Sequence, residues 1–332
     1  MKTIAFCTAL CTLAVLLIPT AARERAAQPA LPEDRVLLIE SAAAPADEPQ
    51  PAASCTVTLL TGGETETLDL DTYLTSVVLC EMPPTFEHQA LCAQAVAART
   101  FVCRQMQHGK HPNGAVCDDS ACCQAWHSRE ALEEKFGADF ADYWQKAADA
   151  VAATHDEVLT YDGKLIDATY FSCSGGRTEA AVAVWGSDVP YLQSVASYGE
   201  QSALRYESSV TVTPEQFRDA IQPLAPDAML DGPPDRWCGD VTHTEGGGVA
   251  TMTIGGAALT GTELRRAFSL NSTQFTLTYT DGAFHFDVLG FGHRVGMSQY
   301  GANYMASLGY SYRVILPYYY RGAVLKTLDT LE

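Results

Sequence analysis

The sequence predicts an α+β protein, with mixed short strands and helices forming one elaborated domain or two interlocked lobes with a substrate cleft. Many short segments alternate apolar and polar residues between turn residues such as Gly and Asp, which is typical of strands. Other segments carry helical periodicity or a capping box, which marks the start of a helix. The chain has 332 residues, of which 47% are hydrophobic, so it can bury a sizeable core.

The N-terminal segment, residues 1–22, is predicted to anchor the chain in a membrane. No charged residue occurs from Thr3 to Ala22, which is about the ~20 residues that span a bilayer. We favour a retained anchor over a cleaved signal peptide, for which TAARERAA could supply the cleavage site. Residues 23–54, rich in Ala, Pro and Glu, are predicted to be a flexible stalk. On either interpretation, residues 55–328 form a folded domain outside the cytoplasm.

The first folded elements lead to a glutamate. The segment CTVTLL alternates and TLDL follows a Gly-Gly turn, so both are predicted strands. Asp71 is predicted to cap a short helix, TYLTSVVLC, which Pro83 and Pro84 terminate. A second helix, from Glu87 to Gln107, has apolar positions on more than one side and is expected to be buried.

The later elements alternate in kind without an internal repeat. A loop at residues 108–126 precedes a helix in FADYWQKAADAVAA, and EVLTY and LIDATYF are predicted strands around a DGK turn. Capping boxes in TPEQF and TGTE open two more helices. Further strands are predicted in SVTVT, ATMTI, FTLTY and AFHFDV.

Charge and cysteine content limit the classes of partner. The net charge is −19, so we expect no nucleic-acid partner, because phosphate contacts need clustered Lys and Arg. An acidic surface suits a neutral or weakly charged ligand, such as a small molecule or a glycan. Two of the 11 cysteines lie in the apolar segment, and the remaining number is odd, so at least one cannot pair within the chain.

Glu81 lies where an apolar helix is predicted to end. The negative end of the helix macrodipole disfavours a carboxylate there, and apolar neighbours would partly bury it. Both effects raise the carboxyl pKa, and a general acid needs the protonated form near neutral pH. The alternative is an ordinary solvated glutamate, which the local sequence alone favours.

Two further segments offer groups for a polar ligand. Arg99, in a helix of small side chains, is predicted to reach a cleft and bind a carboxylate or sugar hydroxyls, or else to form a structural salt bridge. In SCSGGRTE, Gly175 and Gly176 permit close backbone approach, and Ser174 and Arg177 could hydrogen-bond a ligand. A tight turn is the alternative for this second segment.

The segment GFGHRVGMSQYGA repeats the theme of glycines and polar groups near a strand end. His293, Ser298 and Gln299 could face a ligand there. The segment lacks the Gly-Lys-Ser/Thr of a phosphate-binding loop. A lone histidine is more often structural than catalytic, so both roles stay open for His293.

A loop rich in Gly and Pro carries a candidate metal site. His111, Cys117 and Cys123 have the spacing His-x5-Cys-x5-Cys, and an imidazole with thiolates suits zinc. Three protein ligands leave a fourth position for water, another protein group or a substrate. The competing ligands are Cys122, His108 and His127. Free cysteines or a disulfide are the alternative.

Together and in this order, the segments resemble the stage II sporulation protein D family, also called SpoIID/LytB. The family's glutamate segment, Y-L-x-x-V-V-x-x-E-M-P, corresponds to YLTSVVLCEMP, and its E-A-L-K-A-Q-A-V-A-A-R-T corresponds to HQALCAQAVAART. Its S-G-G-x-T-E corresponds to SGGRTE, followed by a tryptophan and P-Y-L in VWGSDVPYL. Its G-x-G-H-G-V-G-M-S-Q-x-G-A corresponds to GFGHRVGMSQYGA. The resemblance spans residues 55–325.

The resemblance implies a peptidoglycan lytic transglycosylase. Such an enzyme cleaves glycan strands between N-acetylmuramic acid and N-acetylglucosamine and leaves a 1,6-anhydro end. Family members prefer strands whose stem peptides an amidase has removed. For a spore former, the resemblance implies an anchor in the mother-cell membrane with the catalytic domain facing the forespore. The implied partners are glycan strands and the cell-wall amidase of engulfment, and the implied cofactor is a mainly structural zinc.

The resemblance also assigns residues. The catalytic acid corresponds to Glu81 and the helix arginine to Arg99, and Tyr191 is a weaker correspondence for a substrate contact. The other residues of the expected substrate-binding set are Ser174, Gly175, Gly176, Arg177, His293 and Gln299. In members that bind zinc, the ligands correspond to His111, Cys117 and Cys123. This chain departs from the family at Arg294, where a glycine usually follows the motif histidine.

Two other classes of function are compatible with the same segments. A non-catalytic wall-binding module that activates an N-acetylmuramoyl-L-alanine amidase would keep the SGG and GHR loops but would not need a protonated Glu81. A zinc hydrolase would instead use an open metal position to activate water.

Overall fold

The computed structural model of the protein describes residues 55–331. The predicted anchor and stalk, residues 1–22 and 23–54, lie outside these described residues. The described part is α+β, as the sequence predicted. No helix in this part of the chain is both long enough and apolar enough to cross a membrane.

The elements are short and their order is mixed. The helices are α1 Leu70–Glu81, α2 His88–His108, α3 Arg129–Phe136, α4 Phe140–Ala153, α5 Ala181–Trp185, α6 Pro214–Ile221, α7 Gly261–Ala267, α8 Gln299–Ser307 and α9 Tyr312–Tyr319. The strands are β1 Thr56–Thr61, β2 Glu64–Asp69, β3 Val116–Cys117, β4 Glu157–Tyr161, β5 Lys164–Leu165, β6 Tyr170–Phe171, β7 Glu207–Val212, β8 Cys238–His243, β9 Val249–Ile254, β10 Ala257–Thr260, β11 Gln274–Thr280, β12 Ala283–Leu289, β13 Met297–Ser298 and β14 Val324–Thr327. They pair as β2-β1-β3, β14-β4-β5, β13-β6, β10-β9-β8 and β11-β12-β7.

Helix α1 begins two residues earlier than predicted and ends just before the prolines, as predicted. Its cap is Asp69, whose carboxylate accepts from the Thr72 N–H at 3.0 Å, rather than Asp71. Asp71 lies inside the first turn, where the helix dipole favours an acid. The chain turns to extended backbone at Met82, and the following prolines prevent further helix. Glu81 is therefore the last residue of α1.

Helix α2 is the centre of the main hydrophobic cluster. Its side chains from Ala90 to Val102 are almost all buried, which confirms the prediction of a helix covered on more than one side. It contacts α1, α4, α8, α9 and β4. Its many alanines leave room for these elements to approach closely, so α2 fixes the relative positions of segments far apart in sequence.

The described residues contain two hydrophobic clusters. The first, here called the main lobe, draws its buried side chains from the ranges 57–195 and 295–323. The second, here called the inserted lobe, draws them from 217–288, between the two parts of the main lobe. Backbone bonds join the lobes where the inserted chain leaves and returns, including Gly290 N to the Tyr206 carbonyl at 2.8 Å.

Local signals located the inserted lobe's helices correctly. Capping boxes at Thr213 and Thr260 open α6 and α7, as predicted. The segment LIDATYF, predicted as one strand, instead contributes β5 and the separate strand β6. The cause is tertiary, because β6 pairs in parallel with β13, the strand that immediately precedes Gln299.

Candidate functional site

The Glu81 carboxyl lies in a largely buried polar cluster at the end of α1. Its Oε1 atom accepts from the Ala125 N–H at 2.9 Å. The side chains of Tyr170 and Gln299 also hydrogen-bond the carboxyl group. Burial raises the pKa of Glu81, while these three hydrogen bonds oppose the rise because they stabilise the carboxylate. Burial is the larger effect, so Glu81 holds its proton to higher pH than an exposed glutamate does.

The Tyr170 hydroxyl is oriented by a buried glutamine. Gln124 donates its Nε2–H to the Tyr170 oxygen at 2.8 Å, and its Oε1 accepts from the Tyr73 hydroxyl at 3.4 Å. Since Tyr170 oxygen accepts from an amide, its own proton is free to point at Glu81. The donors therefore run in one direction, from Tyr73 through Gln124 and Tyr170 to Glu81.

Gln299 reaches the same cluster from the first turn of α8. Its Nε2 also lies 3.4 Å from Gln94 Oε1 on α2. Both amides are buried, and Gln94 Nε2 has no hydrogen-bond partner within residues 55–331. Ser298 caps α8 by accepting from the Gly301 N–H. Of the predicted substrate-binding residues, Gln299 is thus brought to Glu81.

The candidate metal site brings together four possible ligands, the three predicted and Cys122. One possible ligand atom from each of the following residues lies within 4.8 Å of all the others: His111, Cys117, Cys122 and Cys123. His108 and His127, the other candidates, are outside this group. One imidazole and three thiols are a donor set that zinc binds tetrahedrally, and four protein ligands are typical of structural sites. The residues therefore fit zinc.

The metal loop leads directly to Glu81. Gln124 and Ala125 follow the last cysteine and supply two of the contacts described above. The next residues continue along α1, where the His127 carbonyl accepts from the Ser76 hydroxyl. A group that fixes the cysteines would also fix the peptide that donates to Glu81. Across residues 55–331 all cysteines are free thiols, so no disulfide competes for them there.

The SGG loop binds an internal carboxylate. Glu200, which is buried, accepts through Oε2 from the backbone N–H groups of Ser174, Gly175 and Gly176 at 2.9, 3.0 and 3.2 Å. The Ser174 hydroxyl donates to the same oxygen at 2.7 Å. Gly175 and Gly176 have φ of 81° and 110°, which favour glycine. Because Glu200 occupies these donors, the arrangement favours the tight-turn alternative over the predicted substrate contacts of these three residues.

Arg294 is buried and connects several loops through its guanidinium. Its guanidinium pairs with the Glu179 carboxylate at 3.2 Å and donates to the Ser174 carbonyl at 2.6 Å. It also donates to the Gly246 carbonyl and to the Gln274 side chain, each at 2.6 Å. Arg294 itself adopts a φ of 67°, a left-handed backbone conformation that favours glycine.

Arg99 does not reach a cleft. Its side chain is 0% exposed. It donates to the carbonyls of Val151, Thr154 and Glu157 at 3.1, 2.6 and 3.2 Å, at the C-terminal end of α4. It also lies 3.7 Å from the Asp71 carboxylate. These contacts favour the structural alternative over the predicted substrate contact, because carbonyls at a helix end that lack helical partners require donors.

The remaining predicted contacts divide between internal and exposed positions. The Tyr191 hydroxyl accepts from the Asp167 N–H at 3.0 Å, an internal bond. Arg177 is partly exposed and pairs with Glu245. His293 Nδ1 accepts from the Val295 N–H at 3.1 Å, and the ring also hydrogen-bonds the Tyr170 backbone. Burial, assisted by a nearby arginine, lowers the pKa of His293 to about 4, so the imidazole is neutral and positions Tyr170.

A separate groove of about 690 Å³ lies on the inserted lobe. Polar side chains from its sheet line much of it, among them Ser209, Thr276 and Asp287. These three lie side by side in the strand register. None of the partners of Glu81 contributes to its lining, so the groove is distinct from the acid cluster.

Comparison with known proteins identifies the family. The family model described as Stage II sporulation protein matches residues 61–161, which include Glu81 and the four candidate ligands. Stage II sporulation protein D of Bacillus subtilis (strain 168) is 38% identical over 268 residues, or 80% of this chain and 76% of the relative. The chain belongs to the stage II sporulation protein D family.

Other relatives of this family extend the comparison. Stage II sporulation protein D of Bacillus amyloliquefaciens is 37% identical over 271 residues, covering 80% of this chain and 76% of the relative. A protein named Amidase enhancer, from Bacillus subtilis (strain 168), is 27% identical over 305 residues, covering 76% of this chain and 40% of the relative. The inserted lobe lies beyond the residues that the family model matches.

Several residues of the acid cluster could not be found from local sequence. Tyr170 and Gln124 lie in segments without a motif, and the fold brings them to Glu81 through strand pairing and the metal loop. Glu200 likewise follows no recognisable pattern. Cys122 carried a signal, since it lies next to Cys123, but spacing could not choose between the two.

Proposed function

We propose that the protein is a peptidoglycan lytic transglycosylase with Glu81 as its catalytic acid. The observation that carries the proposal is the buried, hydrogen-bonded carboxyl of Glu81, whose pKa burial raises. A carboxyl whose pKa is raised holds its proton to higher pH and can protonate a leaving oxygen. Family membership supports a role in sporulation, and the acid cluster supplies the chemistry.

One carboxyl is sufficient because the substrate supplies its own nucleophile. Glu81 donates its proton to the glycosidic oxygen as the bond from C1 of N-acetylmuramic acid to that oxygen breaks. The sugar's own O6 then forms a bond to C1, and the Glu81 carboxylate takes the O6 proton. The product is a 1,6-anhydro ring and the acid is regenerated. Ordinary glycosidases need a second carboxyl group, which either activates the attacking water or itself attacks the sugar carbon.

Zinc would be held by His111, Cys117, Cys122 and Cys123. When bound, the metal would supply structural rigidity, because four protein ligands fill a tetrahedral site. The same count argues against the zinc hydrolase alternative, which needs an open position for water. Gln124 and Ala125 directly follow the ligand Cys123. Gln124 donates to the Tyr170 hydroxyl and Ala125 donates to the Glu81 carboxyl, so a fixed loop would hold both hydrogen bonds in place.

The proposed substrate is a peptidoglycan strand from which stem peptides have been removed. An amidase must act first, so the proposed partner is the cell-wall amidase of the engulfment machinery. We place the domain outside the cytoplasm on a single N-terminal anchor, in the mother-cell membrane of a spore former. The apolar run before Arg23 is the feature of the sequence that supports this location.

Product analysis on peptide-free glycan tests the proposal. Glu81→Gln keeps the shape of the side chain but removes the acid, and should lower the rate of anhydro-end formation by about 10²–10⁴. Mass spectrometry of the released fragments measures it. Glu87→Gln, an exposed glutamate at the start of α2, is the matched control and should retain parental activity. Release of anhydro ends by Glu81→Gln at the parental rate would refute the assignment.

A second candidate function is activation of an amidase without catalysis. The observation that favours it is the similarity to the protein named Amidase enhancer. On this alternative, the purified chain would release no anhydro ends but would accelerate peptide removal by an added amidase. Glu81→Gln would leave that acceleration unchanged, which separates the two functions in one pair of assays.

A further inference from the structure

An exposed tryptophan lies beside the histidine loop. Trp185, at the end of α5, is 45% exposed, and its ring centroid lies 5.4 Å from that of His293. The imidazole packs in turn against Phe171, with 5.7 Å between ring centroids. The indole is therefore supported by a neutral ring and still presents apolar surface to solvent. Such a surface suits the C–H face of a pyranose ring, whose hydroxyls can stay in water.

An arginine from the inserted lobe is held at the same loop. Arg265, in the last turn of α7, donates its Nε–H to the Leu270 carbonyl at 3.3 Å. The next carbonyl, of Asn271, accepts from the Gly292 N–H at 3.0 Å, which places this segment against the residue before His293. The charge of Arg265 also helps to lower the pKa of His293, as expected for neighbouring groups.

Within residues 55–331, no carboxylate forms an ion pair with the Arg265 guanidinium. Across residues 55–331, the ion pairs within 4.0 Å involve other basic side chains. The adjacent Arg266 differs, because its charge helps to lower the pKa of Glu263. In a chain of net charge −19, a half-buried guanidinium that no acid neutralises is suited to an anionic ligand.

We propose that Trp185 and Arg265 form a subsite for a sugar acid, with the pyranose ring on the indole and its free carboxylate on the guanidinium. The two residues come from different lobes, so the subsite spans the junction of the lobes. The His293 ring hydrogen-bonds the backbone of Tyr170, whose hydroxyl hydrogen-bonds Glu81. One tyrosine therefore links the subsite to the acid.

This inference rests on the proposed function for its ligand and gives that function a basis for selectivity. In a glycan strand, the sugar acid is N-acetylmuramic acid. Its lactyl carboxyl is an amide while the stem peptide is attached, and becomes a free carboxylate once an amidase has removed the peptide. A guanidinium at this position therefore selects stripped strands through charge.

Binding to two forms of one glycan tests the subsite. The full chain carrying Glu81→Gln is titrated with soluble stripped strands, and with the same strands whose lactyl carboxylates have been converted to neutral amides. Calorimetry gives the affinities. We expect the Glu81→Gln protein to bind the carboxylate strands more tightly than the amidated strands. Adding Arg265→Gln should weaken their binding about tenfold or more, the loss typical of a charge-assisted hydrogen bond, and should leave the amidated strands unchanged.

Matched variants show whether a loss of affinity comes from the Arg265 charge and the Trp185 ring or from a change in the fold. Arg266→Gln, in the same helical turn, should change neither affinity, and Arg265→Lys should recover part of the preference. Trp185→Ala should weaken both strand types equally, because stacking does not depend on the carboxylate, whereas Val182→Ala on the same short helix should not. Val182 is 49% exposed, so its truncation leaves the core intact.

Equal parental affinity for the two strand types would overturn the subsite, as would equal losses for both on Arg265→Gln. Failure of the proposed function looks different. If the protein with an intact Glu81 released no anhydro ends, while the Glu81→Gln background still discriminated by charge through Arg265, the lyase assignment would fall and the subsite would stand.

Discussion

The acid cluster at Glu81 combines two opposing influences on one carboxyl. Burial favours the protonated form, and donors from Ala125, Tyr170 and Gln299 favour the carboxylate. A general acid that later serves as a base needs both forms to be accessible. The cluster provides this balance with uncharged donors, and among the described residues no positive charge contributes to the pKa of Glu81.

Removing one donor should move the pH dependence of the reaction. Tyr170→Phe deletes a hydroxyl that stabilises the carboxylate, so the pKa of Glu81 should rise further above its ordinary value. In the proposed mechanism the acid form is the active one, so activity falls as pH rises through that pKa. The alkaline limb of kcat/KM should therefore shift to higher pH in the variant.

The control for this shift is a second tyrosine near the cluster. Tyr300→Phe, one residue after Gln299, removes a hydroxyl that makes no hydrogen bond to Glu81 among the described residues. Its profile should match that of the parent. An alkaline limb that stayed in place, or moved to lower pH, in Tyr170→Phe would contradict the balance described here.

At the scale of elements, the loop that carries the candidate zinc ligands leads into Ala125, which donates to Glu81, and into Gln124, which donates to Tyr170. Removing Cys122 tests whether all four ligands are needed. Cys122→Ser should weaken zinc binding and lower the melting temperature, because metal affinity contributes to folding when the ligands are loop residues. Activity should fall as well, since Gln124 and Ala125 follow the ligands directly.

Metal content and thermal melting, with and without a chelator, measure these effects. Cys238→Ser, in the inserted lobe and outside the ligand group, should leave both unchanged. Full zinc occupancy and parental melting in Cys122→Ser would show that three ligands suffice. The fourth position would then be open to water, and the zinc hydrolase alternative would regain support.

Local rules predicted the elements better than the contacts between them. Pro83 and Pro84 fixed the end of α1, and capping boxes located two helices, because these signals act within a few residues. The role of Arg99 was not accessible in this way, since it depends on the end of α4, more than 50 positions away. Tyr170 was missed for the same reason, as its placement follows from pairing with β13.

At the scale of the whole molecule, the two lobes share one buried ion pair. Glu179 belongs to the main lobe's chain and also accepts from Thr244 and Gly248 of the inserted lobe, at 2.7 and 3.0 Å. Arg294 binds the same carboxylate and carbonyls from both lobes. The sequence predicted one elaborated domain or two interlocked lobes. It did not predict the Glu179–Arg294 pair between the lobes, because the family pattern has glycine at position 294.

Breaking the pair should loosen the junction of the lobes. Arg294→Met retains the length of the side chain and leaves Glu179 buried without its cation, which typically costs about 3–5 kcal/mol. The melting temperature should fall by roughly 10 °C for a domain of this size. Hydrogen exchange should rise first in the loop at residues 244–248, because the Gly246 carbonyl loses the Arg294 donor.

Two comparisons test whether the loss of stability comes from the unpaired charge. Adding Glu179→Gln to Arg294→Met should restore part of the stability, because the orphaned charge is gone. Arg236→Met, an exposed arginine of the inserted lobe, should be neutral. If Arg294→Met melted like Arg236→Met, the lobes would be held together by their backbone connections alone, and the buried pair would contribute nothing to the junction that carries the sugar-acid subsite.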